Sequence, residues 1–321
     1  SWDGTNWVEG TPVAALCYLR GTLILTPQGE RPVEDLQPGD LVATRFGGFQ
    51  PVRWMGEQHF QGNVRPLDGA PILIRAGALG PNMPQRDLRV SPGHSMLVNG
   101  VLVLAHLLVN GITILRDETA GELHYYQIDL GTHDCVLAEG TWSETYADFP
   151  GGRCKFHNAQ DFYQLFPDYV EPEVLDLCLP RPQEGMDLDH ALRTVVSAAA
   201  ALAAPGRLRG SVDRVVRTAD GTWQVWGWAK DQDQNDLPQL MEIVLDGAVL
   251  TTVLACQYRW DLDRASLGRC AYIAELPSWL GLDEAQRLIV RRADHYDPLY
   301  RTEECLELLA DLCAAEGRQA A

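Results

Sequence analysis

The stretch ALCYLRGTLILTPQGERPVEDLQPGDLVAT, residues 15–44, decides how the chain is read. A cysteine at 17 stands just ahead of a Gly-Thr pair, a short apolar run and two turns, Thr26-Pro27 and Pro38-Gly39-Asp40. Taken alone, it reads as a buried strand residue, since free cysteine is among the most buried residue types. Outward from it, similar runs recur between Gly, Pro and Asp turns as far as about Ala147: PVRWMG, PILIRAG, DLRVS, HSMLV, GVLVL, ITILRD, HYYQIDL and DCVLAEG. Short strands at that spacing predict an all-β domain. A weak internal repeat, LTPQGERPVEDLQPGD against VSPGHSMLVNGVLVLAHLLVNG, predicts two related subdomains within it.

At 321 residues the chain exceeds one ordinary domain of roughly 100–200 residues, so two are expected. Hydrophobic residues at 46% and charged ones at 22% are globular usage, which excludes a disordered or fibrous chain. The net charge of −18, with lysine only at 155 and 230 and no basic run, argues against nucleic acid and anionic membrane surfaces as partners. No membrane insertion is expected either. The stretch ALRTVVSAAAALAAPG from Ala191 carries Arg193 and falls short of the ~20 apolar residues a span needs. Starting at Ser1 without a methionine, the sequence reads as part of something longer. Its eight cysteines form no CxxC pair, so neither a zinc ribbon nor a thioredoxin site is signalled. Disulfides stay open, except that Cys305 and Cys313, roughly 12 Å apart along a helix, cannot bridge.

Beyond Pro150, DFYQLFPDYVEPEVLDLCLPRPQEG reads as an aromatic, proline-rich segment packed along a domain surface. MDLDHALRTVVSAAAALAAPG then reads as a helix that Pro205-Gly206 ends. From near Gly210 a second β region follows, with WQVWGWAKD alternating, a hairpin through Asp246-Gly247, and QRLIVRRAD. The tail TEECLELLADLCAAE places apolar residues at 305, 308, 309 and 312, an amphipathic helix capped by Thr302. The expected order is a flanking segment 1–16, an all-β domain 17–147, a linker with a helix 148–207, a small β-sandwich-like domain 208–301, and a C-terminal helix and tail 302–321. Trp223, Trp226 and Trp228 can be read as a sugar-binding platform, but strand alternation places them in core and rim. A glycan or protein partner is the expectation for this second domain.

A free thiol, of pKa ~8.5, becomes a useful nucleophile only beside a base or donor. His94 in SPGHSML is the best-placed histidine, with Ser91 three residues before it across a Pro-Gly turn. His133 is the other candidate, with Asp129 before it and Cys135 two residues on, sharing a face if the segment is a strand.

Together these residues carry a resemblance. CYLRGTLILTPQGERPVEDLQPGDLVAT, SPGH and YYQIDLGTHDCVLAEGTWSETY resemble the opening, middle and closing blocks of the hedgehog/intein (Hint) self-processing family, with wording most like its bacterial members, over about residues 15–147. The resemblance implies the Hint all-β fold and attack by Cys17 on the Leu16 carbonyl, an N-to-S acyl shift that yields a thioester. It assigns His94 to protonating the leaving amide nitrogen, Ser91 to orienting His94 or the amide, Asp129 to proton transfer or charge support, and His133 to the outer wall. A splicing intein closes with His-Asn, whereas Ser143-Glu144-Thr145 stand at the matching place, so cleavage without splicing is expected, with Glu144 a candidate for activating water. The substrate would be the chain's own N-terminal flank, and no cofactor is implied. Cys17, His94, His133 and Cys135 are also ligand types zinc prefers, and zinc bound there would silence the thiol. The competing reading is a catalytically silent Hint-fold module of a bacterial surface or secreted assembly. A third, a cysteine hydrolase acting on other proteins, has the residues but no visible substrate groove. A secreted or cell-surface location is the expectation.

Overall fold

The structure, a computed structural model, describes residues 16–60, 70–119, 121–293, 295, 298–309 and 312. The flank before Leu16 and most of the tail, Cys313 included, lie outside the described residues. The chain divides into two compact units, one of residues up to Gln183 with His190–Val195, the other of Glu184–Asp189 and Val196 onward. Among the described residues no helix is long and apolar enough to cross a membrane.

Both units are mainly β, as the alternating short runs predict. In the first, a six-stranded antiparallel sheet runs in the order Ile114–Arg116, Ile72–Ile74, Leu88–Val90, Tyr18–Leu19, Leu123–Asp129, Trp54–Phe60. A second sheet, of eight strands, is built on Val101–Leu104, Ser95–Val98, Thr141–Glu144, Cys135–Ala138, Leu23–Thr26 and Gly29–Pro32. The internal repeat surfaces as two hairpins, each followed by a helical turn. Leu23–Thr26 and Gly29–Pro32 lead into Val33–Asp35, and Ser95–Val98 and Val101–Leu104 lead into Ala105–Leu108.

One turn fixes the position of Glu144. Cys135–Ala138 and Thr141–Glu144 are joined by Glu139 (φ 49°) and Gly140 (φ 77°), a two-residue turn that needs positive φ at both positions. The Glu139 carboxylate accepts the Leu23 amide at 2.7 Å and Arg86 Nε at 2.6 Å, so tertiary contacts hold a residue that turn chemistry alone would not choose. The hairpin register then sets Glu144 opposite Cys135.

The aromatic, proline-rich segment after Pro150 contributes to the first unit's core. Phe156 and Phe162, the latter on the helix Ala159–Leu165, pack edge-on against Trp54 at 5.3 and 5.4 Å between ring centres. In the second unit, Ala271–Glu275, Trp223–Asp231, Leu208–Arg217 and Tyr300–Arg301 form one sheet, and Ala248–Ala255, Gln239–Leu245 and Ile289–Arg292 another. Val212, Trp223, Val225 and Tyr272 of the first meet Met241, Ile243, Val253 and Val290 of the second in one apolar core, a sandwich. Its hairpin turns at Asp246 (φ 48°) and Gly247 (φ 89°), as the Asp-Gly pair predicts. Thr302 Oγ1 accepts the Cys305 amide at 3.2 Å, capping a helix whose Cys305 and Leu309 are buried. Alternation sorts the tryptophans. Trp223 is buried with its Nε1 on the Leu280 carbonyl, while Trp226 is exposed.

Candidate functional site

The two-residue strand Tyr18–Leu19 lies between Leu88–Val90 and Leu123–Asp129, with Tyr18 opposite both Val90 and Tyr126. Continuing the ladder by one step sets Cys17 against Ser91. The Ser91 amide donates to the Cys17 carbonyl at 2.9 Å, and the Cys17 amide donates to Ser91 Oγ at 2.9 Å. Ser91 therefore grips the nitrogen of the Leu16–Cys17 peptide directly.

The turn after Ser91 closes over Leu16. A Cβ on Gly93 would stand 3.0 Å from Leu16 Cδ2, a tight contact from which the end of the Leu16 side chain would have to move. His94 ends the turn, fully buried, its amide on the Ser91 carbonyl at 3.0 Å and its ring edge-on to Tyr18 at 4.4 Å. Burial drives its pKa down to about 4, against the opposing pull of Glu144 and of the Leu16 backbone, so the imidazole is neutral near pH 7. Neither ring nitrogen has a partner at ordinary hydrogen-bond geometry. The Leu16 carbonyl is the backbone acceptor that favours a proton on the ring, at longer range. A buried, unsatisfied imidazole beside one particular peptide bond is costly for folding, which makes it informative about function.

Behind His94 lies a buried polar chain. The Glu144 carboxylate accepts the Ser95 amide at 2.6 Å and Arg181 Nη1 at 3.2 Å, and its Oε2 faces His133 Nε2 at 3.5 Å. Burial opposes its ionisation, but the nearby His133 and the charge of Arg181 prevail and lower its pKa. His133 Nδ1 accepts the Cys178 amide at 3.0 Å, which puts the proton of the neutral ring on Nε2, toward Glu144. Burial disfavours a second proton, yet the Cys178 and Glu144 side chains together raise the His133 pKa to about 9. Taking that proton would break the amide contact, and we read the geometry as the neutral tautomer. The Tyr18 hydroxyl joins the chain through Ser143 Oγ at 2.7 Å and the Glu144 carbonyl at 3.1 Å, its pKa pushed up by burial.

Asp129 is placed elsewhere. One carboxylate oxygen pairs with Arg153 Nη1 at 2.9 Å, the other accepts the Gly131 amide at 2.7 Å, and the Arg153 guanidinium lies 3.6 Å from the Phe162 ring centre. Cys17 packs in the same aromatic cluster, with Trp54, Phe60, Tyr125, Tyr146, Phe156 and Phe162. The structure thus gathers Leu16, Cys17, Ser91 and His94 at one bond, sets His133 and Glu144 behind His94, and engages Asp129 with Arg153. Among the described residues no group of three or more His, Cys, Asp or Glu is arranged to hold a metal. No such group joins Cys17, His94, His133 and Cys135. Cys17 is packed among aromatic rings, while Cys135 and His133 turn to Cys178. Tyr18, Arg153, Cys178 and Arg181 were not singled out in the sequence. No periodicity in the stretch 150–183 marks Arg153, Cys178 and Arg181 as partners of the site.

Ser91 thus holds the amide of Cys17 and a buried histidine borders Leu16, all within an antiparallel all-β unit. Residues 16–150 match the family model described as Hint domain, and this part of the chain is a Hint domain. Among solved structures, the chain is similar to a bacterial intein-like domain from Clostridium thermocellum at 15% identity, covering 41% of this chain and 99% of that one, TM-score 0.30. It is also similar to the MchDnaB-1 intein at 14% identity, covering 40% and 99%, TM-score 0.28. The gp41-1 intein, at 17% identity, covers 40% and 98%, TM-score 0.28. No curated protein matches the chain.

Proposed function

We propose that the chain breaks its own Leu16–Cys17 peptide by an N-to-S acyl shift and releases its N-terminal flank without splicing. The observation that carries this reading is the Cys17 amide donating to Ser91 Oγ at 2.9 Å while the unpartnered ring of His94 borders Leu16. In the shift a bond forms between Cys17 Sγ and the Leu16 carbonyl carbon, and the bond from that carbon to the Cys17 nitrogen breaks. The thiol proton ends on that nitrogen, so thioester formation is an isomerisation and needs no outside reactant. Neutral His94 serves as an N–H donor to the oxyanion developing at Leu16, where a water-poor setting makes such a bond effective. Ser91 holds the leaving nitrogen, and this held geometry supplies much of the rate that an amide lacks in water.

Glu144 acts through its partners. Ser95, Arg181 and His133 occupy its oxygens, so it holds His133 and biases His94 rather than activating a water directly. Water, a small thiol or an amine then resolves the thioester.

A second reading rests on a different observation. Cys17 is fully buried in an aromatic cluster, which suits a packed thiol in a silent module as well as a nucleophile. The test follows intact mass against time for the chain extended by a tag before Ser1, beside Cys17→Ala. Cleavage between Leu16 and Cys17 that dithiothreitol accelerates and the substitution abolishes is expected. An unbroken chain under all conditions would assign the domain to the silent class.

A further inference from the structure

Two cysteines that peptide cleavage does not use lie beside the site. Cys135 opens the strand Cys135–Ala138, has no exposed surface, and is pinned by its amide on Asp134 Oδ1 at 2.6 Å. Cys178 lies on the irregular segment before Arg181, partly exposed, with its amide on His133 Nδ1. Both are free and both adjoin the His133–Glu144 pair: Cys135 stands opposite Glu144 in the hairpin, and the Cys178 amide donates to His133, whose Nε2 faces Glu144 at 3.5 Å. The segment bearing Cys178 lies in no strand or helix, whereas Cys135 is fixed in its strand.

Cys178 lines a cleft of 460 Å³ shared with Asp129, His133, Arg153, Asp176 and Leu177. Solvent reaches Cys178 through that cleft, while Cys135 sits behind it. The two thiols also differ in acidity. Interaction with the Cys135 side chain, more than offsetting burial, lowers the Cys178 pKa to about 5, while the same interaction and burial raise that of Cys135. The partly exposed sulfur is therefore the more acidic and the other a buried thiol, the asymmetry expected of an attacking and a resolving cysteine.

We propose that Cys135 and Cys178 form a reversible disulfide site, with Cys178 attacking a small-molecule disulfide oxidant that enters through the cleft. In the first step the Cys178 thiolate bonds to one sulfur of the oxidant and expels the other half as a thiolate. The Cys135 thiol then gives its proton to that thiolate, and its sulfur attacks Cys178, expelling the second half. The protein gives up two electrons and the Cys135 proton, and the oxidant becomes one thiol and one thiolate, which takes its proton from solvent. The bridge ties the segment 178–181 to the strand Cys135–Ala138 and removes the thiolate beside His133. The redox state is thereby felt at His133 and, through Arg181, at Glu144.

The inference stands apart from peptide cleavage, so its test uses the whole chain with Cys17→Ala, which cannot form the thioester. The chain is equilibrated across ratios of oxidised to reduced glutathione, quenched in acid, alkylated and mapped by mass. A Cys135–Cys178 linked peptide that grows with the oxidised fraction and disappears on reduction is expected. With Cys135→Ser added, glutathione should instead remain attached to Cys178. If both cysteines stay fully alkylatable at the most oxidising ratio, or Cys178 bridges to another cysteine, the proposal is overturned.

Discussion

Around Leu16–Cys17 the first unit buries Ser91, His94, Asp129, Glu144 and Arg153, whereas the sandwich of the second closes on Val212, Trp223, Val225, Ile243 and Val290. The second unit also buries an ion pair, Asp231–Arg292 at 2.9 Å, but among its described residues no histidine. An apolar core needs only matched shape. A buried polar cluster needs every partner in place, because each group left unmatched costs its desolvation. The first unit carries that burden where its chain passes one peptide bond, and His94, with neither ring nitrogen partnered, is among the groups it leaves unmatched there.

The largest effects should come from removing the anchor of each unit. Arg153→Met leaves Asp129 buried without its counter-charge and should cost ~3–5 kcal/mol. Trp223→Ala empties the centre of the sandwich and should cost about the same, ~3–5 kcal/mol. Hydrogen exchange should show the first loss in the strands Trp54–Phe60 and Leu123–Asp129 and the second in Trp223–Asp231. The same loss of protection in both places for either variant would break the contrast.

Acid should separate the units next. His94 titrates near 4 when folded and near 6.5 when unfolded, so the unfolded chain binds the extra proton first as the pH falls. Its neutral burial is therefore fully tolerated above about 6.5, and stability declines through the window down to about 4, by about 3 kcal/mol. Denaturant titrations at intervals across that window should show this slope, and His94→Gln should flatten it. An unchanged slope in the variant would assign the acid sensitivity to other groups.

Smaller still is the Tyr18 hydroxyl. Tyr18→Phe leaves Ser143 Oγ without its 2.7 Å partner, for an expected ~1–3 kcal/mol. Because the ring still packs on His94, cleavage in Tyr18→Phe should slow less than in Ser91→Ala, as a side-by-side time course would show.

Local signals made much of the fold legible. Strand alternation, the Asp246-Gly247 turn and the Thr302 cap act over a few residues, and the structure has each of them. The SPGH turn was legible for the same reason, since Ser91 and His94 face one bond through a single tight turn. Arg153, Cys178 and Arg181 were not. They reach Asp129, His133 and Glu144 from 24, 45 and 37 residues away, on a segment whose path no periodicity announces. Glu139 in a positive-φ turn was equally hidden, because its hold comes from Leu23 and Arg86.

The central claim is that the Leu16 carbonyl passes to sulfur. Incubating the tagged chain with hydroxylamine and sequencing the released flank by mass spectrometry tests it most directly. The account predicts a hydroxamate on the Leu16 carboxyl end, formed by the wild-type chain and absent from Cys17→Ala. Release of a plain carboxyl end at the same rate from both would contradict it.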